Sequence, residues 1–158
     1  MKVSIASDHA GFEQKQQLVA YLEEKGYEVK DRGPDSDDRV DYPDYAIKVA
    51  MDVSFGRADK GVLICGTGIG MSIVANKIPR VRCANVTNCE FAALSRQHND
   101  ANVIALSGRF VDLEENKKIL DTFLETHFED EDNPEGRHAA RLKKLWPIEG
   151  QTLRRGQL

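Results

Sequence analysis

The sequence predicts an α/β fold: a three-layer αβα sandwich on a five-stranded parallel, Rossmann-like sheet, with one further helix near the C-terminus. Three observations predict it. Strand and helix signals alternate from end to end of the 158 residues. Five strand patterns are each followed by a helix pattern, the arrangement of a parallel sheet covered on both faces. The run Gly61-Val62-Leu63-Ile64 is continuously apolar, as a strand buried on both faces must be. Right-handed crossovers then give the three layers. The length suits a single domain, expected over 1–148, with 149–158 as a tail.

Each element has its own reason. Residues 3–7 alternate apolar and small side chains until Asp8-His9-Ala10-Gly11 breaks the strand. Residues 12–25 carry Leu18 and Leu22 on one helical face, and Gly26 stops the helix. A second strand is expected over 27–32, ended by Gly33-Pro34 and an acidic loop through Asp41. Pro43 can open a helix whose apolar stripe includes Ala46, Val49 and Ala50, with Gly56 just past its end. Strand three covers 60–64, and the turn Cys65-Gly66-Thr67-Gly68-Ile69-Gly70 leads into helix three. Strand four is expected over 81–86, and Asn88 caps a helix running to about His98. Strand five covers 103–107 and helix five 113–127, with His127 as a C-terminal cap. After an acidic loop, a last helix starts near Arg137 and is expected to stop before Pro147.

Composition removes several classes of function. An apolar fraction of 41% and a charged fraction of 30% fit a soluble globular chain. A net charge of −4 gives no electrostatic case for nucleic acid or an anionic membrane. No apolar run suits a membrane span or a signal peptide. Cys65, Cys83 and Cys89 are odd in number and lack disulfide or zinc spacing, so a cytoplasmic location is expected. Cys83 reads as a small core residue, and Cys89 as a first-turn thiol.

Ligands of open parallel sheets bind beyond the carboxyl ends of the strands. That rule collects Asp8 and His9, Tyr42, residues 65–70, Asn88 and Cys89, and Arg109. The glycine turn offers outward amides to an anion, and the helix N-terminus favours a thiolate on Cys65. Plainer readings stay open for each: helix–strand packing for the glycines, a core role for Cys65, a loop acceptor for Asp8. A dinucleotide fingerprint belongs in the first βα turn, where none is found, and no Walker lysine follows the glycine turn. Arg137 and Arg141 lie one turn apart and suit a phosphate, or simply a solvated basic face. Helix four carries His98 and Asn99 about 16 Å back across the sheet. If they serve the Cys65 site, they do so from a second copy across a two-fold axis.

These residues resemble the type B ribose-5-phosphate isomerases and their relatives, the galactose-6-phosphate isomerase subunits. The carriers are Ser7-Asp8-His9-Ala10-Gly11-Phe12, Asp41-Tyr42-Pro43, the turn with Ala75-Asn76-Lys77, the run from Leu94 to Val103 through Ser95-Arg96-Gln97-His98-Asn99-Asp100, and Gly136-Arg137-His138 with Arg141. The resemblance implies metal-free and cofactor-free interconversion of ribose 5-phosphate and ribulose 5-phosphate through an enediolate. Cys65 would be the base; where other members carry a Glu after the turn, this chain has Met71. Thr67 and the amides of Gly66, Gly68 and Gly70 would hold the enediolate oxygen. His98 from a partner subunit would assist ring opening, with Asp8 near the sugar hydroxyls. Tyr42 and Asn99 would position the sugar, and His9, Arg109, Arg137 and Arg141 the phosphate. A homodimer or dimer of dimers is implied. A six-carbon aldose phosphate, a non-catalytic sugar-phosphate sensor and a thiol redox protein are the competing readings. The acidic stretch 129–135 and the tail depart from the family pattern.

Overall fold

The computed structural model describes residues 1–149. Its elements run β1 (Lys2–Ser7), α1 (Phe12–Glu24), β2 (Glu28–Asp31), α2 (Tyr42–Ser54), β3 (Lys60–Cys65), α3 (Ile69–Ala75), β4 (Cys83–Asn85), α4 (Cys89–Asn99), β5 (Val103–Ser107), α5 (Leu113–Glu125), α6 (Arg137–Lys143) and α7 (Trp146–Glu149). All pairings are parallel and the strand order is β2-β1-β3-β5-β4, with Ser4 opposite Gly61 and Leu63 opposite Ala105. The predicted three-layer fold is therefore the observed one.

The two faces carry separate apolar layers. Leu18 and Leu22 of α1, Ala92 of α4, and Ile119 and Phe123 of α5 pack on Ile5, Ile64 and Leu106. On the other face, Ala46, Val49 and Ala50 of α2 and Met71 and Ala75 of α3 pack on Ala6, Leu63 and Cys65. Alternate strand residues thus face opposite layers, as the two-residue strand period requires. Gly61 is where α2 comes closest: a Cβ there would sit 2.8 Å from Val49 and 2.9 Å from Val103.

Two expectations need correction. β4 is only three residues long: at its start the Arg82 amide goes to the Asn102 side chain (2.8 Å) rather than to the β5 main chain, while on the open edge the Asn76 side chain takes the Cys83 amide (2.8 Å) and carbonyl (2.9 Å). Helix α5 ends at Glu125, so His127 lies beyond the cap; it sits exposed, 3.4 Å from Glu131. The helix from Arg137 stops before Pro147 as expected, and a further short helix, α7, follows it with Pro147 in its first turn, where the missing N–H costs nothing. The tail expectation, apart from Glu149, lies outside the described residues.

Candidate active site

Strand order places the site. β1 leads outward to β2, while β3 leads the other way, past β5, to β4, so a crevice opens where the β1 and β3 loops part. Asp8 follows β1, and its Oδ1 accepts the amides of Ala10 (2.9 Å) and Gly11 (3.1 Å). The loop-acceptor reading of Asp8 therefore holds for that oxygen. Gly11 is pressed against Ile64; a Cβ would lie 2.7 Å from its carbonyl. That contact seats the Asp8 loop directly beside the Cys65 turn.

Cys65 ends β3 nearly buried, its side chain in the α2/α3 layer. The Gly68 amide donates to its Sγ at 3.1 Å, and the Ile69 amide donates to Thr67 Oγ1 at 3.2 Å. The first intrahelical bond runs from Ser72 N to Gly68 O, so the next amides of the turn, on Gly70 and Met71, point past the helix end. Gly68 adopts φ +80° with Asn85 packed against its Cα, which leaves room for no side chain. Met71 is fully buried in the same layer as Cys65.

Two further loops close on this turn. The amides of Gly108 and Arg109 donate to the carbonyls of Cys65 (2.8 Å) and Gly66 (3.2 Å), and Ser107 Oγ donates to Gly66 O at 2.8 Å. Arg109 lies over Gly66, its Cδ 3.4 Å from where a Cβ would stand. From α2, the Tyr42 ring covers Gly70, 3.0 Å from the corresponding point. His9 Nδ1 faces the main chain of Val40, 3.2 Å from its carbonyl and 3.4 Å from its amide. With the carbonyl accepting, Nε2 donates only as imidazolium; with the amide donating, Nε2 is an N–H in the neutral ring. The loop holding Val40 and Tyr42 is anchored by fully buried Lys15, whose ammonium donates to Asp31 Oδ2 (2.6 Å) and Pro34 O (2.8 Å).

Asp8, His9, Tyr42, Cys65, Gly66, Thr67, Gly68, Gly70 and Arg109 are therefore neighbours. His98, Asn99, Arg137 and Arg141 form a second group near the opposite edge. Helix α4 starts beyond the carboxyl end of β4 and finishes just before β5 begins, so it delivers His98 and Asn99 there. The His98 ring stacks on His138 at 4.4 Å and 3°. Glu129 Oε2 lies 3.6 Å from His98 Nε2 and 3.0 Å from His138 Nε2, and Arg137 Nε is 3.0 Å from His138 Nε2. Arg137 and Arg141 remain exposed on α6.

The acidic loop organises this second group. Glu129 N donates to Gln97 O at 3.0 Å, tying the loop to α4. Asp130 Oδ2 accepts the amides of His138 (2.7 Å) and Ala139 (3.0 Å) at the start of α6. Those bonds, Ala139 foremost, hold the Asp130 carboxyl below the usual carboxylate range despite some desolvation. Its carboxylate rests on Gly136, where no side chain would fit. Sequence reading missed both roles, since Asp130 lies six residues before the Gly136 N-cap and outside any capping pattern.

A parallel sheet with a thiol, an imidazole, a carboxylate and amide donors at its switch point defines a small-anion site of the kind that sugar-phosphate enzymes build. The ribose/galactose isomerase family matches residues 3–145, and the chain belongs to that family. It is 45% identical to ribose-5-phosphate isomerase B of Escherichia coli K12 over 148 residues, 94% of this chain and 96% of that protein. A solved Clostridium thermocellum ribose-5-phosphate isomerase B superposes with TM-score 0.89 at 46% identity, covering 94% of this chain and 97% of that one. The Mycoplasma genitalium enzyme, solved with bound ribulose-5-phosphate, superposes with TM-score 0.88 at 44% identity, covering 96% and 97%.

Proposed function

We propose that the chain interconverts ribose 5-phosphate and ribulose 5-phosphate, with Cys65 as the base. The observation that carries the reading is the Cys65 sulfur, fixed by the Gly68 amide at the switch point of the sheet among Asp8, His9, Tyr42 and Arg109. Family membership and the naming of its relatives support the reaction. Cys65 removes the C2 proton of the open-chain aldose, and the electron pair forms the C1–C2 double bond of an enediolate. The proton returns to C1, while O1 gains a proton and O2 gives one up. Thr67 and the amides of Gly66, Gly68 and Gly70 face the developing oxyanion; with the Gly68 and Ile69 amides already engaged, Gly70 has most to offer.

The working unit in this reading is a homodimer. One subunit supplies Asp8, His9, Tyr42, the Cys65 turn and Arg109. The other supplies His98 for ring opening, Asn99 for the sugar, and Arg137 and Arg141 for the phosphate. Exposed Ile69 and Ile73 on α3 and Phe91 on α4 give the flanks of edge strand β4 the apolar surface such contact needs. Among the described residues no helix is long and apolar enough to cross a membrane, in keeping with the proposed cytoplasmic role.

The test is a coupled assay of wild type and Cys65→Ala on ribose 5-phosphate, with allose 6-phosphate and galactose 6-phosphate in parallel. The expected result is turnover of the pentose phosphate, lost in the variant. Undiminished activity of Cys65→Ala rejects the base, and preference for a six-carbon substrate rejects the pentose assignment.

A further inference from the structure

We propose that His98, Glu129 and His138 form a binding site for a divalent transition metal, Zn2+ foremost, and that the bound ion inhibits the enzyme. Among the described residues these are the only three metal-ligating side chains that converge, all ligand atoms lying within 4.8 Å of one another. Zinc bound by histidine nitrogens and a carboxylate oxygen at about 2.0–2.2 Å needs ligand atoms roughly 3.4 Å apart in a tetrahedron. The two nitrogen–oxygen separations, 3.0 and 3.6 Å, bracket that value. Both Nε2 atoms already lie beside the same Glu129 oxygen. The rings stack at 3°, so their in-plane lone pairs run side by side, and half-exposed His98 has to turn out of the stack for both to meet one ion.

The chemistry of the cluster favours a cation. Arg137 Nε donates to His138 Nε2, which requires a lone pair on that nitrogen, yet the Glu129 carboxylate sits against the same atom. The Arg137 guanidinium now supplies the positive charge beside that lone pair and the carboxylate, and a divalent ion would take its place. Buried His138 is held in place by the Asp130 cap on its own amide, so the fixed ligand is the deep one. Exposed Arg137 can swing out to admit the ion. Three protein ligands leave the fourth position for water, the pattern of an open zinc site.

The inhibitory part rests on the proposed function: the ion would occupy His98 and displace Arg137, two groups that reading assigns to substrate. The binding part stands independently. Full-length protein is titrated with Co2+ and then with Zn2+ in competition, alongside Glu129→Gln, His138→Gln and Cys65→Ser. One Co2+ per chain with visible four-coordinate d–d bands, and no thiolate charge-transfer band, is expected. Either ligand substitution should lower affinity by about 10- to 100-fold or more, the scale seen even for outer-sphere partners, while Cys65→Ser leaves it unchanged. Zn2+ should inhibit wild-type turnover competitively with ribose 5-phosphate, and Glu129→Gln should need correspondingly more metal.

A thiolate charge-transfer band, or unchanged affinity in a Glu129→Gln/His138→Gln variant with native circular dichroism, overturns the site. Cobalt binding without inhibition at saturation overturns the inhibitory part. Failure of the isomerase reading is distinct from both, since it leaves metal binding intact with no turnover to inhibit.

Discussion

Gly68→Ala should cost far more than its single methyl group suggests, in both stability and activity. At φ +80° an L residue is strained by about 1–2 kcal/mol whatever the surroundings. The surroundings add to this. The new Cβ would stand 3.1 Å from the Ala105 carbonyl group and press directly on Asn85 Nδ2. Asn85 cannot simply turn away, because Nδ2 donates to Thr67 O (3.2 Å) and Ala105 O (3.1 Å). Overpacking of this kind costs about 1–3 kcal/mol, for a total of about 2–5 kcal/mol. In a chain of this length, that lowers the melting temperature by roughly 4–20 °C. Gly26→Ala is the control, since Gly26 has φ +86° but nothing within 4 Å of the added Cβ, and so bears the strain alone. Thermal melts of both variants separate the two contributions. A coupled isomerase assay then reads the site: the Gly68 amide positions the Cys65 sulfur, so kcat should fall while Gly26→Ala keeps wild-type kcat. Equal melting temperatures for the two variants, or wild-type kcat in Gly68→Ala, would refute the reasoning.

Asp52 and Cys83 offer tests away from the site. Burial opposes ionisation of Asp52, but Arg32, Ser4 and Arg57 outweigh it and hold the carboxyl at about 2. A depressed folded-state value gives stability that is present above about pH 4 and lost as pH falls towards 2, about 2 kcal/mol in all. Urea melts of Asp52→Asn should lose that increment at pH 7 and show a flatter acid limb; an unchanged limb would count against the network. Cys83 is only partly buried, but desolvation pushes its thiol up to about 12, so it should react with iodoacetamide at pH 8 more slowly in the native protein than after unfolding, as mass spectrometry would report. Rapid native labelling of Cys83 would contradict its placement.

The order of elements was legible because each boundary carried a local chemical signal. Gly26 and Gly56 stop helices with positive φ, Pro43 stands in the first turn of α2, and Asn88 caps α4 through its side chain to Phe91 N. The carboxyl-edge half of the site was legible for the same reason, since strand ends fix which loops share one edge. What the sequence hid was pairing over distance. Nothing around Lys15 announces a fully buried ammonium, because its partners Asp31 and Pro34 come from another strand and loop. The short β4 starts where Arg82 N turns to the Asn102 side chain, and Asn76 covers its open edge, two pairings that strand propensity does not register. The acidic stretch reads from sequence only as a loop outside the family pattern, yet Asp130 caps α6 and Glu129 joins two histidines. Periodicity sees the composition of a loop, not the helix end it will meet.

The proposed site is built from two chains, with Cys65 from one and His98 from the other. Complementation tests it most directly. Cys65→Ala and His98→Ala, each inactive alone, are mixed, exchanged under mild denaturant and assayed on ribose 5-phosphate, with mixed dimers verified by native mass spectrometry. Random exchange makes half of the dimers mixed, each with one intact site, so activity should return to about a quarter of wild type. No recovery in a sample shown to contain mixed dimers would contradict the shared site.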